Sequence, residues 1–361
     1  MNFVYVHSTL PEDHYRVHIR CHNPAAALQN SGAHTVNLLP LENFIHNTTQ
    51  AQRVCQPADV IILHRYLYEA SLASIARWRA RGKRIFVEID AAFDHIEPDR
   101  TGYDFWKQGI LPASLKNGRQ VISPPPLDQL KWLLKIVDAV IVPTPSLAHD
   151  LFPFGRIVML PDYLNINEYL VVRPPRKENI IRVGVNCTGT SPSSLRASGV
   201  LEGLRQASSQ CEYLHVLLAG VTDNLGDLFA DLPAGRKQVL PPIRQMELPG
   251  ALAGLDIALA PAAGEFERRQ SPLRLLEYMA MKIPWIASNL HCYQPMASFG
   301  ILIENDPAVW ADAILLLADQ IDAAQRQAGS EAYLYALSQD AGENLEKIVR
   351  VFQSAGEEVN G

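Results

Sequence analysis

The feature that most constrains this chain is an alternation, sustained from end to end, of short β-branched apolar runs with longer amphipathic stretches. Such runs suit strands buried on both faces, and the stretches between them are long enough for crossover helices, so the pattern specifies βα units and parallel sheets. The first half offers strands at Phe3–Val6, Thr35–Leu39, Val60–His64, Arg84–Ile89, Ala139–Pro143 and Ile157–Pro161. Helices are predicted between them at Tyr15–Asn30, Tyr68–Arg81, Leu127–Val137 and Ser146–Leu151. The second half repeats the scheme, with strands at Ile180–Val185, Tyr213–Ala219, Gln238–Leu240, Asp256–Ala260, Pro284–Ala287 and Ile301–Glu304. Its helices are expected at Ser193–Ser209, Glu247–Gly254, Leu273–Lys282, Pro307–Asp322, Glu331–Ser338 and Glu343–Gln353. Val171–Asn179, where Pro174 and Pro175 stand among charged residues, reads as a linker. A length of 361 residues suits two domains, expected at 1–170 and 180–340. Residues 99–126, with Tyr103, Phe105, Trp106 and a Ser-Pro-Pro-Pro run, break the alternation. They read as a structureless insertion, either a functional loop or lid or a mobile segment.

Composition narrows the function classes. With 48% apolar and 19% charged residues the chain can bury a sizeable core. A formal charge of −6 supplies no global attraction to nucleic acid or anionic lipid, so any anionic ligand needs a local cluster of cations. The longest apolar runs, such as Ala313–Ala318, fall far short of the roughly 20 residues that span a bilayer. The start of the chain reads as a first strand rather than a signal peptide, which points to a cytoplasmic location. The five cysteines are scattered without metal or disulfide spacing and read as buried thiols. His14, His18 and His22 are four apart, the spacing of a helical metal pair, but nothing completes a ligand set and they read as lining a helix. Trp78–Arg84 is basic and reads as a solvated helix end, with a membrane or nucleic-acid contact as the alternative. No dinucleotide fingerprint, Walker loop or nucleophile elbow is present.

The chemistry concentrates between Ala260 and Ala287. Ser271 is a good N-cap and Pro272 suits the first helical position, so a helix is expected to start there with unpartnered N–H groups at the positive end of its dipole. Arg268, Arg269, Gln270 and Arg274 surround that start, and guanidinium forks beside free N–H groups can hold a diphosphate. Glu277 follows Arg274 by one turn, where a carboxylate accepts hydroxyls of a neighbouring ribose or else pairs with Arg274. His64 and Arg65 close a strand, the position where open α/β sheets bind ligands; a satisfied, buried His64 is the plainer reading.

Several segments resemble the GT-B glycosyltransferases, in particular family 4-like enzymes (glycosyl transferases group 1). Asp256-Ile-Ala-Leu-Ala-Pro, Ser271-x-x-Arg-x-Leu-Glu-Tyr-Met-Ala and Ile283-Pro-Trp-Ile-Ala-Ser together resemble the signature of that family's C-terminal domain. Ile181–Pro192 is similar to its first strand and phosphate-facing loop, and Met159–Tyr169 to the segment before its linker. In the first half Tyr15-Arg16, Val87-Glu-Ile-Asp90 and Val142-Pro-Thr-Pro-Ser-Leu resemble segments of the acceptor-side domain.

The resemblance implies an α/β GT-B fold, two Rossmann-like domains facing across a cleft, with 341–361 crossing back to the first. It implies a retaining, metal-independent transfer that needs no cofactor beyond the donor, a UDP- or GDP-sugar. The acceptor, whether a glycan, lipid-linked, small or macromolecular, is left open. Donor-binding residues are expected at Thr188, Gly189, Thr190, Gly264, Arg269, Gln270, Ser271, Pro272, Leu273, Arg274 and Glu277. Tyr15, Arg16, His64 and Arg65 are expected on the acceptor side, and Asp90 and Arg274 in catalysis, Asp90 by orienting or deprotonating the acceptor. Glu277 matches the second Glu of the family's Glu-x7-Glu motif, but Arg269 stands where the first, sugar-facing Glu is usual. An epimerase-like enzyme of the same fold and a non-catalytic nucleotide-sugar or glycan-binding protein are the alternatives.

Overall fold

The structure is a computed structural model that describes residues 1–115, 121–176, 179–221, 227 and 229–354. Every strand that the alternation predicted is present, with ends moved slightly. The first sheet comprises β1 (Asn2–His7), β2 (Thr35–Pro40), β3 (Val60–His64), β4 (Arg84–Glu88), β5 (Ala139–Val142) and β6 (Ile157–Met159). The second comprises β7 (Ile181–Asn186), β8 (Leu214–Ala219), β9 (Lys237–Val239), β10 (Ile257–Ala260), β11 (Trp285–Ser288) and β12 (Ile301–Ile303). All pairings are parallel, in the orders β2-β1-β3-β4-β5-β6 and β12-β11-β10-β7-β8-β9. The direction of winding therefore reverses between β1 and β3 in one sheet and between β7 and β10 in the other. Ligands of open α/β sheets bind at such switch points, outside the carboxyl ends of the strands.

By contacts the chain divides into unit 1, Met1–Leu164 with Arg269–Ser271 and the chain from Ala341, and unit 2, Asn165–Arg268 with Pro272–Asp340. Unit 1 buries Phe3, Tyr5, Ile62, Phe86 and Ile141 of its sheet against Cys21 and Leu28 of the first helical stretch. The amphipathic helix Leu345–Ser354 closes the same core with Ile348, Val351 and Phe352. The Phe352 ring lies 5.2 Å from both Phe3 and Phe86, edge to face. Unit 2 buries Val183, Val185, Leu218, Ile257 and Leu259 against Leu204 and Trp310. Gly203 lets the helices Val200–Gln210 and Pro307–Asp319 touch, since a Cβ there would lie 2.4 Å from that of Trp310. Trp310 Nε1 is satisfied by the Ser198 carbonyl at 2.8 Å.

Two expectations change. The helix predicted over Ser193–Ser209 is two, Pro192–Ala197 and Val200–Gln210, parted at Gly199 with its φ of 73°. The insertion at 99–126 is not structureless: Tyr103–Gln108 forms a helix bounded by Gly102 and Gly109, both left-handed. Its Phe105 and Trp106 are buried, Trp106 stacking on Phe93 at 3.9 Å and Phe105 meeting Tyr66 at 5.1 Å and Tyr68 at 5.5 Å. Aromatic burial thus orders a stretch too short to show periodicity. Residues 116–120 of that insertion, and 177–178 of the expected linker, lie outside the described residues. Four of the cysteines are buried, Cys292 is partly so, and all five are free thiols. Among the described residues no helix is long and apolar enough to cross a membrane.

Candidate functional site

In unit 2 the switch point is built from two loops. After β7 the chain turns through Cys187–Thr190, with the Thr188 N–H on the Asn186 side chain at 3.1 Å and the Thr190 N–H on the Cys187 carbonyl at 3.0 Å. Ser191 then caps the next helix as expected, its hydroxyl accepting from the Ser194 N–H at 3.2 Å, with Pro192 in the first turn. After β10 the loop Pro261–Gly264 is pinned from three sides. Ser194 Oγ donates to the Ala263 carbonyl at 2.9 Å, Ser288 Oγ accepts the Ala262 N–H at 2.9 Å, and Asn305 Nδ2 donates to the Ala262 carbonyl at 2.9 Å. Gly220 is required beside the first loop: its φ is 80°, and a Cβ would lie 2.3 Å from Thr188 Oγ1.

Arg274, in the first turn of the helix Leu273–Ala280, bridges toward the β7 loop. Its Nη2 donates to the Thr188 carbonyl at 3.2 Å and to Thr190 Oγ1 at 2.8 Å. Thr188, Gly189, Thr190 and Arg274 are thus brought together, with Gly189 exposed at the tip of the turn. Gly264 is exposed on the second loop, whereas Leu273 is buried in the core and Pro272 half-buried. Glu277 is fully buried, and one carboxylate oxygen accepts the Tyr169 hydroxyl at 2.9 Å. Tyr169 in turn is reached by Gln245 Nε2 at 3.5 Å. Sequence reasoning missed Tyr169, Ser194, Ser288 and Asn305 because their partners are distant in the chain.

The expectation for Ser271 is corrected. Pro272 takes the N-cap position of Leu273–Ala280 without a side-chain cap, and the Ser271 hydroxyl donates instead to the Asp162 carboxylate. A hydrogen bond to a charged acceptor outcompetes one to a backbone N–H. Ser271 belongs with Arg269 and Gln270 to unit 1. There Arg269 pairs with Asp150, and its carbonyl accepts the Thr144 hydroxyl at 2.9 Å.

Unit 1 gathers a larger network at the carboxyl ends of β1, β3 and β4. Asp90 is wholly buried between Arg16, at 2.5 Å, and Arg65, at 2.5 Å and 3.0 Å. Arg16 also reaches both oxygens of Asp162, at 2.9 Å and 3.3 Å, and Arg20 bridges Asp162 at 2.9 Å to Glu88 at 2.7 Å. Arg65, held at a φ of 65°, extends to Asp13 at 2.7 Å, and the Tyr66 hydroxyl donates to the other Asp13 oxygen at 2.5 Å. Burial pushes the Asp90 carboxyl up, but Arg65 and Arg16 outweigh it and hold it well below the usual carboxylate range. Asp162 is likewise held low, Arg16 and Arg20 outweighing burial. For Glu88 burial wins over Arg20 and the carboxyl is pushed up.

These contacts correct two expectations. Asp90 has no exposed surface and both of its oxygens are engaged by Arg16 and Arg65, so it does not face an acceptor; its geometry is that of a group that aims Arg16 and Arg65. His64 is buried as expected but is not satisfied: its Nε2 lies 3.7 Å from Asp90, beyond hydrogen-bond reach, and neither ring nitrogen has a partner. The guanidinium side chains of Arg16 and Arg65 remain 13% and 12% exposed and are the part of the network open to a ligand. Tyr15 is half-buried beside them in sequence. Arg20 and Asp162 were missed; two arginines four apart on one helical stretch, Arg16 and Arg20, were the signal that buried acids must face them. His18 and His22 lie ring to ring at 5.7 Å in a wide turn of the helix, and no metal-ligand cluster occurs among the described residues.

Residues 198–320 match the family model described as glycosyl transferases group 1. A search of curated protein sequences returns no match. Among solved structures, a glycosyltransferase from Rickettsia africae superposes with a TM-score of 0.67 at 15% identity, covering 98% of each chain. HepE from Anabaena, solved with UDP and glucose, gives 0.65 at 12% identity, over 98% of this chain and 100% of its own. A TarM variant from S. aureus, in complex with fondaparinux, alpha-GlcNAc-glycerol and UDP, gives 0.60 at 14% identity over 87% of this chain. This chain spans 58% of the length of that protein.

Proposed function

We propose that this GT-B glycosyltransferase moves a sugar from a nucleoside-diphosphate sugar to an acceptor, with the donor diphosphate held at the carboxyl ends of β7 and β10. The observation that carries the reading is the Arg274 guanidinium lying on the Thr188–Thr190 turn at the switch point of the second sheet. A diphosphate leaving group develops negative charge as the sugar departs, and a fixed guanidinium lowers the free energy of that state. In this reading transfer proceeds with retention, and Arg274 and the loop meet the charge without a divalent ion. Glu277, one turn further along the same helix, accepts the ribose hydroxyls, with Tyr169 fixing its carboxylate. The UDP bound in HepE and TarM favours uridine as the base. In unit 1, Arg16 and Arg65 contact the acceptor, and Asp90 is their positioning residue.

Isothermal titration with UDP tests the assignment. Arg274→Ala is expected to weaken binding by about 10- to 150-fold, the loss of a charge-assisted hydrogen bond. Glu277→Gln is expected to weaken it less, by roughly tenfold. Wild-type affinity in both variants would remove the donor from this loop.

A further inference from the structure

Two consecutive residues of the loop after β10, Ala262 and Ala263, have all four of their backbone polar groups held by side chains. The Ala262 N–H donates to Ser288 Oγ at 2.9 Å, the Ser288 hydroxyl donates to Asn305 Oδ1 at 2.7 Å, and Asn305 Nδ2 donates back to the Ala262 carbonyl at 2.9 Å. These three bonds close a ring that contains no charge. Ala263 is held by a single hydroxyl: Ser194 Oγ accepts its N–H at 3.2 Å and donates to its carbonyl at 2.9 Å. Backbone groups pair chiefly with one another, so a loop whose peptide groups are satisfied by side chains takes its position from those side chains.

The three side chains come from both sides of the switch point. Ser288 is the last residue of β11 and Asn305 follows β12, so the ring fixes the loop to its own sheet. Ser194 comes from the β7 side. It lies in the helix Pro192–Ala197, whose start Ser191 caps directly after the Thr188–Thr190 turn. That turn and the β10 loop are the two segments to which the donor diphosphate is assigned, and Ser194 joins them.

We infer that Ser194, Ser288 and Asn305 are positioning residues for the donor: without touching it, they fix the β10 loop and set its distance from the β7 turn. The inference rests on the donor reading proposed above. A diphosphate has a limited span, so two segments grip it together only when the gap between them is set before it arrives. Hydroxyl and amide groups suit this role because they hold the loop without adding charge beside Arg274. Removing one of them loosens the β10 loop and leaves the Arg274 contacts with Thr188 and Thr190 in place.

Isothermal titration of the full chain with UDP, paired with thermal melting of each variant, tests the inference. Ser194→Ala and Asn305→Ala are each expected to weaken UDP binding by about two- to tenfold, the effect of one neutral hydrogen bond. Asn305 is exposed, so its variants should keep the fold. Asn305→Asp should weaken binding as much as Asn305→Ala, because a carboxylate accepts from Ser288 but cannot donate to the Ala262 carbonyl. Ser194→Thr keeps the hydroxyl and should retain wild-type affinity. Ser198→Ala is the control: Ser198 is also buried and donates to the Leu195 carbonyl at 2.7 Å at the end of the same helix, but it reaches neither loop. It should lower the melting temperature as Ser194→Ala does and leave UDP affinity unchanged. If Ser194→Ala and Asn305→Ala bind UDP as the wild type does while Arg274→Ala loses it, the inference is overturned and the donor site stands. Equal weakening by Ser198→Ala and Ser194→Ala also overturns it, since lost stability alone then accounts for the effect. A wild-type chain that binds neither UDP nor GDP removes the donor reading, and this inference with it.

Discussion

The two switch points hold their arginines by different means. In unit 1, Arg16 and Arg65 share Asp90, and Arg16 and Arg20 share Asp162, all within a buried network of acids and bases. In unit 2, Arg274 reaches across to the turn after β7, donating to the Thr188 carbonyl and to Thr190 Oγ1. A guanidinium matched by buried carboxylates is a rigid donor whose charge is already spent on the fold. A guanidinium laid on a loop at a switch point stands where open α/β sheets bind their ligands. The difference teaches that the first region should answer to mutation chiefly in stability, the second chiefly in ligand affinity.

The largest expected effect breaks the first network. Asp90→Ala leaves Arg16 and Arg65 buried without a shared counter-charge and is expected to cost about 3–5 kcal/mol in urea unfolding. Glu88→Gln is expected to cost far less, about 1 kcal/mol, because Arg20 keeps its second carboxylate partner, Asp162. The pH dependence follows with opposite signs. Asp90 and Asp162 titrate lower in the fold than in the unfolded chain, so their contribution is complete above about pH 4 and is lost as pH falls through their depressed values. Glu88 titrates higher in the fold, so its contribution is present at acid pH and is lost as pH rises through its raised value. Acid unfolding of Asp90→Asn should therefore be shallower than that of the wild type. Equal costs for Asp90→Ala and Glu88→Gln would break the account of unit 1.

A smaller change sharpens the second region. Gly220→Ala drives a methyl group against Thr188 Oγ1 in a left-handed backbone and is expected to cost about 1–3 kcal/mol. UDP affinity should fall with it, because the Thr188–Thr190 turn must move. A destabilised variant with unchanged affinity would separate the loop from the donor. Smallest is Ser191→Ala, which removes the cap of Pro192–Ala197 and is expected to cost about 1 kcal/mol in thermal unfolding.

What could be read in the sequence follows from how local the cause is. Strands such as Val60–His64 and Ile257–Ala260 were legible because a β-branched run buried on both faces has few other uses. Ser191 was legible as a cap because both partners lie within one turn. Ser271, with the same Ser-Pro signal, was misread because Asp162, more than a hundred positions away, takes its hydroxyl. The helix Tyr103–Gln108 was hidden because it is set by glycines at its ends and by aromatic partners from other segments. Arg274 and the Thr188 turn could be named in advance, but their mutual contact could not.

The helix Leu345–Ser354 sets an order of assembly. Phe3 and Phe86 leave the ribosome early, yet the side chain that covers them, Phe352, is made after all of unit 2. Long-range closure of that kind is slow and leaves apolar surface uncovered in the interval. For this chain the sheet translated before unit 2 is sealed only by a helix translated after it.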